Sequence, residues 1–263
     1  MSGLRYDSAA SARLERAYTT ADVQVQRDEV RRSLAARPGE NILDLGSGPG
    51  ILACELAAEV GASGRIVALD VSAEMNAIAS RRIAAAGLGD RIEVVDGDAI
   101  GLDFVDASFD AAVATQVVEY VDDVDAALCE LRRVLRPGGR LLLLDTDWDT
   151  LIWPAPDQAR AARIAAVWRT HAPHPTLPPR LAPLLRAHGF AVDEVRTIPL
   201  LNTSYGEDTF SYNIAALIAA FVRQRGTVAD HEVEAWLADL ATLDRSGAYF
   251  FSLNRYLFRA RAA

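Results

Sequence analysis

The chain has 263 residues, 51% of them hydrophobic and 24% charged, an ordinary globular balance that excludes a disordered or fibrous chain. With 36 acidic against 27 basic residues the formal net charge is −9, a field that repels phosphate backbones and argues against nucleic acid as a partner. Every basic residue is arginine, and the densest basic stretch, Arg132, Arg133, Arg136 and Arg140, reads as a helix end running into a turn rather than a binding patch. Cys54 and Cys129 are too few and too far apart for a disulfide framework, a CxxC redox pair or a zinc set, so no metal is expected. Met1 to Ala10 has no apolar signal core and no run of about 18 apolar residues occurs, which predicts a cytoplasmic protein with no membrane span.

In chain order, an amphipathic helical stretch opens the sequence and a second follows over about Ala21–Ala36, ending at Arg37-Pro38-Gly39. Asn41–Leu45 is an apolar run too short for a helix and flows directly into Gly46-Ser47-Gly48-Pro49-Gly50. The expected elements then alternate: helix Ile51–Val60, strand Arg65–Asp70, helix Ala73–Ala86, strand Arg91–Val95, strand Ala111–Thr115, helix Val124–Leu135, strand Arg140–Leu144. Such alternation predicts parallel βαβ units. After Asp149 the pattern changes: six prolines, from Pro154 to Pro179, surround one helix, Gln158–Thr170. A helix near Leu181–Ala187, a strand at about Phe190–Pro199, helices near Asp208–Val222 and Asp230–Leu243 and a strand over Tyr249–Arg259 complete the chain. The fold expected is α/β, a doubly wound seven-stranded, mostly parallel sheet with a reversed edge strand and a helical cap insertion.

A strand, a glycine-rich turn and a helix form a nucleotide-binding constellation, because glycines let the backbone approach a ligand and the helix start offers unpaired N–H groups. Asp70 ends the second strand about twenty residues beyond the turn, where a carboxylate accepts ribose hydroxyls. These segments resemble the motifs of class I methyltransferases that depend on S-adenosylmethionine (SAM). ILDLGSGPG (Ile42–Gly50) is similar to their first motif, VALDVSAEM (Val67–Met75) to the ribose-binding strand and DGDAIGLDF (Asp96–Phe104) to the adenine-binding motif. FDAAVATQVVEYVDD (Phe109–Asp123) resembles the fourth strand and its turn, and LRRVLRPGGRLLLLD (Leu131–Asp145) the segment that follows. Within the family the likeness is to the broad ubiquinone/menaquinone C-methyltransferase group of small-molecule enzymes.

The resemblance implies SAM as cofactor and a role for each matching residue. Asp44 would organise the glycine turn and reach the amino group of SAM, with Gly46, Ser47 and Gly48 around the methionine moiety. Asp70 would take the ribose, Val71 and Met75 would pack on the adenine, and Asp98 with the Ala99 N–H would bind its edge. The Thr115 carbonyl would hold the methionyl ammonium. It also implies one domain over 1–263, with lid helices in 1–36, the SAM-binding core in 37–150 and the acceptor region in 151–263.

The acceptor is read less directly, since the sulfonium already activates the methyl group and the protein mainly orients it and excludes water. Glu119, Tyr18 and Asp147 are the catalytic candidates, and Gln116, Tyr120 and Trp148 the acceptor-binding ones. Relatives often carry histidines where this chain has Glu119 and Tyr120, so a carboxylate would replace the imidazole base, unless Glu119 simply faces a helix dipole. Arg27 is a candidate for the SAM carboxylate. His171 and His174 read as solvated loop residues, and His188 and His231 as helix-surface residues. Phe210, Tyr212, Ile214, Leu217, Ile218 and Phe221 form an apolar stripe that is helix core or the wall of an apolar acceptor site. The function expected is methyl transfer to a small, hydrophobic acceptor at carbon or oxygen. The alternatives are a SAM-binding protein without methyl transfer and an NAD-dependent oxidoreductase on a similar fold.

Overall fold

The computed structural model describes residues 15–263. The opening amphipathic stretch lies largely outside them, although residues 15–19 are helical. The elements that follow are α1 (Ala21–Leu34), β1 (Asn41–Leu45), α2 (Ile51–Val60), β2 (Arg65–Asp70), α3 (Ala73–Ala85), β3 (Ile92–Asp96), β4 (Phe109–Thr115), α4 (Val124–Val134), β5 (Leu135–Ile152), α5 (Gln158–Trp168), α6 (Pro178–Ala187), β6 (Phe190–Asn202), α7 (Phe210–Arg225), α8 (Asp230–Arg245) and β7 (Phe251–Ala262). The strands form one mixed sheet in the order β3-β2-β1-β4-β5-β7-β6. Six strands are parallel, with one antiparallel strand towards the β7/β6 edge, as the sequence pattern led one to expect.

The chain divides into two compact units. The sheet unit comprises Arg27–Thr146, Leu177–Thr197 and Tyr256–Ala263; the helical unit comprises the residues up to Gln26, Asp147–Thr176 and Ile198–Arg255. This differs from three consecutive segments, because residues far apart in sequence complete each apolar core. In the sheet unit Leu43, Leu45, Ala112 and Leu143 on the strands pack with Leu128, Leu131, Leu181 and Leu185 on α4 and α6. β1 is buried at four of its five positions, and its parallel pairing with both β2 and β4 makes it a central strand, hence the continuous apolar run.

The helical unit has its own core, in which Trp148, Trp168, Phe210, Leu217, Phe221, Trp236 and Phe251 are all buried. The stripe on α7 is therefore used by packing: Phe210, Ile214, Leu217, Ile218 and Phe221 are core residues of this unit. Thr209 caps α7 by accepting the Tyr212 N–H, and Asp22 accepts the Phe210 N–H at 3.0 Å and an Asn202 amide N–H at 2.8 Å.

β5 is much longer than the strand read from Arg140–Leu144. It begins at Leu135, paired with Phe109, and its register with β4 then jumps to Ala111↔Arg140. The Arg136–Gly139 segment bulges opposite Asp110, whose carboxylate takes the Arg136 guanidinium and the Asn41 N–H. Helix signals and proline hid the strand's start.

Leu128 on α4 is fully buried in the sheet-unit core, whereas Val105 is 77% exposed. Leu128→Ala should therefore cost about 2–5 kcal/mol in denaturant unfolding and Val105→Ala less than about 0.5 kcal/mol. Equal costs for the two would contradict this placement of the core.

Candidate active site

The site is built where β1, β2, β3 and β4 of the sheet unit end, the position at which open parallel sheets hold their ligands. Gly46 and Gly48, in the turn from β1 into α2, have φ of 66° and 52°, left-handed backbone that glycine adopts without steric cost. A Cβ on Gly46 would come within 2.3 Å of a Val117 methyl, so packing against the turn after β4 demands glycine there. A Cβ on Gly48 would meet nothing within 4 Å, which leaves open space beside the turn for a ligand.

Asp70 closes this turn from the neighbouring strand. Its Oδ2 accepts the Gly48 N–H at 2.8 Å and its Oδ1 the Ser72 N–H at 2.9 Å, while its carbonyl accepts an Asn76 amide N–H at 3.0 Å. Asp70, rather than the expected Asp44, thus organises the glycine turn, because its carboxylate reaches across to the Gly48 N–H. Burial pushes the Asp70 carboxyl above its ordinary range, and the N–H groups of Ser72, Gly48 and Val71 oppose that shift. Ser47 donates its N–H to the Leu69 carbonyl at 3.0 Å, and Arg82 on α3 donates to the Pro49 carbonyl at 2.9 Å.

Asp44 on β1 is 1% exposed, and its Oδ2 has no hydrogen-bond partner among the described residues. Burial, then the charges of Asp70 and Glu55, raise its carboxyl from 3.8 to about 8. The buried Ser47 hydroxyl likewise has no partner among the described residues. A carboxylate in this position is suited to a cationic group, such as the ammonium of SAM, arriving beside an open glycine turn.

Along the same rim Val71 is 73% exposed, Met75 is buried at the start of α3, and Thr115 is half-buried at the end of β4. Asp98 is exposed, with Oδ1 accepting the Ile100 N–H at 3.3 Å, and Ala99 is buried in the core beneath it in sequence. After β4, Gln116 adopts φ 59°, unusual for a non-glycine residue. Its N–H donates to the Leu144 carbonyl at 2.6 Å, its side-chain NH2 donates to the same carbonyl at 3.2 Å, and its Oε1 accepts the Thr146 hydroxyl. Gln116, expected to face the acceptor, thus has its amide held by β5. Asp145 Oδ1 accepts the Val117 N–H at 3.0 Å. The short turn Val118–Tyr120 that follows places Glu119 fully buried and Tyr120 half-buried.

Tyr18, Asp147 and Trp148 belong to the helical unit. Tyr18 is half-buried against its core. Asp147 is 8% exposed and accepts the Asp149 N–H at 3.1 Å; burial raises its carboxyl, the Asp149 N–H lowers it, and the nearby Asp149 charge raises it. Trp148 is buried, edge-on to Trp168 at 5.3 Å and to His171 at 5.1 Å. His171 is not solvated as expected. It is fully buried, stacked on Trp168 at 3.9 Å, with Nδ1 2.7 Å from the Trp168 carbonyl, and burial pushes it down to about 4. His188 is half-buried at the end of α6 rather than on its surface, its Nε2 3.2 Å from Asp125. Arg27, considered for the SAM carboxylate, instead directs Nε to Glu55 at 3.2 Å.

Sequence reading placed Asp145 on the rim at the end of the fifth strand but missed Asn76, Arg82 and Thr146, which brace the turns from other elements. Asn76 alone left a trace, as a polar residue on the inner face of an expected helix. Among the described residues no three His, Cys, Asp or Glu side chains form a possible metal set, and no helix is long and apolar enough to cross a membrane.

Residues 43–143 match the family described as a methyltransferase domain. Over 109 residues the chain is 41% identical to the ubiquinone/menaquinone biosynthesis C-methyltransferase UbiE of Hahella chejuensis, covering 41% of this chain and 44% of that one. It is 40% identical over 160 residues to an uncharacterized 37.1 kDa protein in transposon TN4556 of Streptomyces fradiae, covering 60% of this chain and 46% of that one. The chain thus spans just under half the length of these relatives. The solved structure of the [4+2]-cyclase SpnF shares the fold, with a TM-score of 0.61 at 24% identity over 91% of this chain and 81% of that one. The sheet order and the glycine turn are those that the resemblance to class I SAM-dependent methyltransferases leads one to expect. Residues 43–143 belong to the methyltransferase-domain family and are related to the UbiE enzymes.

Unfolded, Asp44 ionises near its ordinary 3.8; folded, it keeps its proton to about 8. As pH rises through that window the unfolded chain gives up a proton that the native chain retains, so Asp44 lowers stability progressively, by roughly a few kcal/mol once the window is crossed. Asp44→Asn should therefore melt above the parent protein at pH 8 and converge with it near pH 4. The same variant should bind S-adenosylhomocysteine more weakly. Identical melting of the two proteins at pH 8 would rule out the upward shift of the Asp44 carboxyl.

Proposed function

We propose that this chain transfers a methyl group from SAM to a small, mostly apolar acceptor, at carbon or oxygen, in the cytoplasm and without a metal ion. The buried Asp44 carboxylate beside the open turn at Gly48 is the observation that carries the cofactor part. The UbiE relatives, named as quinone-pathway C-methyltransferases, favour carbon and an apolar acceptor. The net charge of −9 disfavours nucleic acid and other polyanions.

SAM, when bound, supplies a methyl group already made electrophilic by the sulfonium. In this reading Asp44 and the Thr115 carbonyl hold the methionyl ammonium, with Gly46, Ser47 and Gly48 along the methionine chain. Asp70 accepts the ribose hydroxyls with the lone pairs left after its bonds to Gly48 and Ser72. Val71 and Met75 pack on the adenine, whose edge meets Asp98 and the Ala99 N–H. Glu119 takes a proton from the acceptor or balances positive charge developing on it, since a buried carboxylate acts strongly on nearby charge. In the sheet unit Tyr120 is the remaining acceptor-site candidate, Gln116 being held by β5, while Tyr18, Asp147 and Trp148 of the helical unit stand as candidates from the sequence alone.

A second reading is a SAM-binding protein of the same fold without methyl transfer, favoured by the structural likeness to a chain named as a [4+2]-cyclase. An oxidoreductase using NAD is disfavoured by the GxGxG spacing and the methyltransferase-domain match. Incubation of the protein with isotope-labelled SAM and a metabolite extract separates these readings. Label appearing in a small apolar product supports methyl transfer, and an isomerised product without label supports the second.

Asp70→Ala should weaken binding of S-adenosylhomocysteine by about 1.5–3 kcal/mol in calorimetric titration, through lost bonds to a charged acceptor and a loosened turn. Unchanged affinity would displace Asp70 from the cofactor. Glu119→Gln should lower turnover about a hundredfold while cofactor binding persists, a size typical of one positioned acid–base group. Full activity of that variant would transfer the role to Tyr18 or Asp147.

A further inference from the structure

The guanidinium of Arg133 on α4 directs three of its N–H groups at the segment linking β3 to β4 and two at Glu130 on its own helix. Nη1 donates to the Phe104 carbonyl at 2.6 Å and to Asp106 Oδ1 at 2.8 Å. Nη2 donates to the Leu102 carbonyl at 2.7 Å and to Glu130 Oε2 at 2.8 Å, and Nε to Glu130 Oε1 at 2.8 Å. Arginine carries five such donors in a planar fork, so the fork is fully used. Glu130 in turn accepts the Leu102 N–H at 2.7 Å, and the Arg133 carbonyl accepts the Ala107 N–H at 2.9 Å.

An ion pair on the surface would not need this arrangement. Asp106 is mostly exposed, and such a partner contributes little. The informative contacts are those to the backbone of Leu102 and Phe104, which fix the path of the chain. The same segment turns at Asp98, whose carbonyl accepts the Gly101 N–H at 3.2 Å, and it sinks Ala99 and Leu102 into the sheet-unit core. Phe104 packs edge-on against Phe109 at 5.1 Å. The segment therefore has a buried anchor before Arg133's contacts and a polar clamp over them. It has no regular secondary structure of its own to hold its shape.

We propose that the Arg133–Glu130 pair is a positioning device for the cofactor, holding residues 98–106 in the shape that presents the Asp98 carboxylate to the adenine ring. This rests on the reading of Asp98 given above. Arg133 acts through the segment and not by touching the cofactor, so its effect must run through Asp98.

The test is calorimetric binding of S-adenosylhomocysteine to the full chain, its Asp98→Ala and Arg133→Met variants, and the double variant, well below each melting temperature. Arg133→Met should weaken binding about tenfold, since preorganisation is lost. In the Asp98→Ala background the same change should cost less than about twofold, because coupled residues are not additive. Asp106→Ala, which leaves the contacts to Leu102 and Phe104 in place, should bind as the parent does. Unchanged affinity in Arg133→Met, or fully additive losses in the double variant, would overturn the proposal and leave the pair a stabilising contact. If Asp98→Ala itself binds normally, the adenine reading fails first, and the proposal with it. Should Arg133→Met not fold, Glu130→Gln replaces it. In that variant, faster hydrogen exchange at Ile100, Gly101 and Leu102 with weaker binding supports the clamp, and unchanged exchange and binding overturn it.

Discussion

The carboxylate of Asp70 is the interaction from which the rest of the site follows. Parallel strands that end side by side leave their following turns with N–H groups to satisfy, and the glycine turn pairs only part of them internally, Gly50 donating to the Ser47 carbonyl. Asp70 accepts one from the turn after β1 and one from the turn after β2, which ties the starts of α2 and α3 to a common acceptor. Asn76 binds the Asp70 carbonyl from within α3, so the residue is fixed through both its side chain and its backbone. Asp44, by contrast, meets the first turn of α2, where the Ala53 N–H lowers its carboxyl against the burial that raises it. It sits on the adjacent strand as a buried acid whose second oxygen has no partner among the described residues, its carboxyl driven upward partly by Asp70 itself. It is this second oxygen of Asp44 that the proposal assigns to a cation.

The rim beyond β4 follows similar logic with different means. Gln116 is held in a left-handed conformation by the Leu144 carbonyl and the Thr146 hydroxyl, and Asp145 takes the next N–H. Backbone strain of this kind persists only where surrounding contacts over-determine it, and it concentrates at functional positions. Its local effect is to turn the chain sharply at Val117, whose methyls fill the space against Gly46, and to set Glu119 into the interior. The two turns therefore constrain each other: the glycine at 46 is required by the valine that the strained turn presents.

Much of the sheet unit was legible because its signals are local. The bounds of β1, β2 and α2 follow from apolar runs bracketed by glycine, and the acid at the end of β2 from its spacing beyond the turn. The β5 start was hidden because Pro137 and two glycines mark a turn in any short window. Only the pairing of Leu135 with Phe109 and of Arg140 with Ala111 makes that stretch a bulged strand. His171 was misjudged for a related reason. A proline-rich loop ordinarily runs over the surface, but Trp168 at the end of the preceding helix stacks on the ring and Trp148 from β5 meets it edge-on. Arg133 carried no signal for its role, since its partners at 102, 104 and 106 lie about thirty residues upstream.

The acceptor side was least legible, and the chemistry explains why. When the cofactor brings its own electrophile, the protein has to orient and dry the reacting groups, tasks that leave no fixed motif in sequence. The aromatic and aliphatic stripe on α7 illustrates the difficulty. Its spacing is what a helix needs to pack, and Phe210, Leu217 and Phe221 are indeed consumed by the helical unit's own core. Such a stripe therefore carries no information about the acceptor. The residues that could carry it are polar groups that packing does not require in the interior. In the sheet unit Glu119, fully buried in the turn after β4, is such a group, which is why the proposal gives it the acceptor's proton.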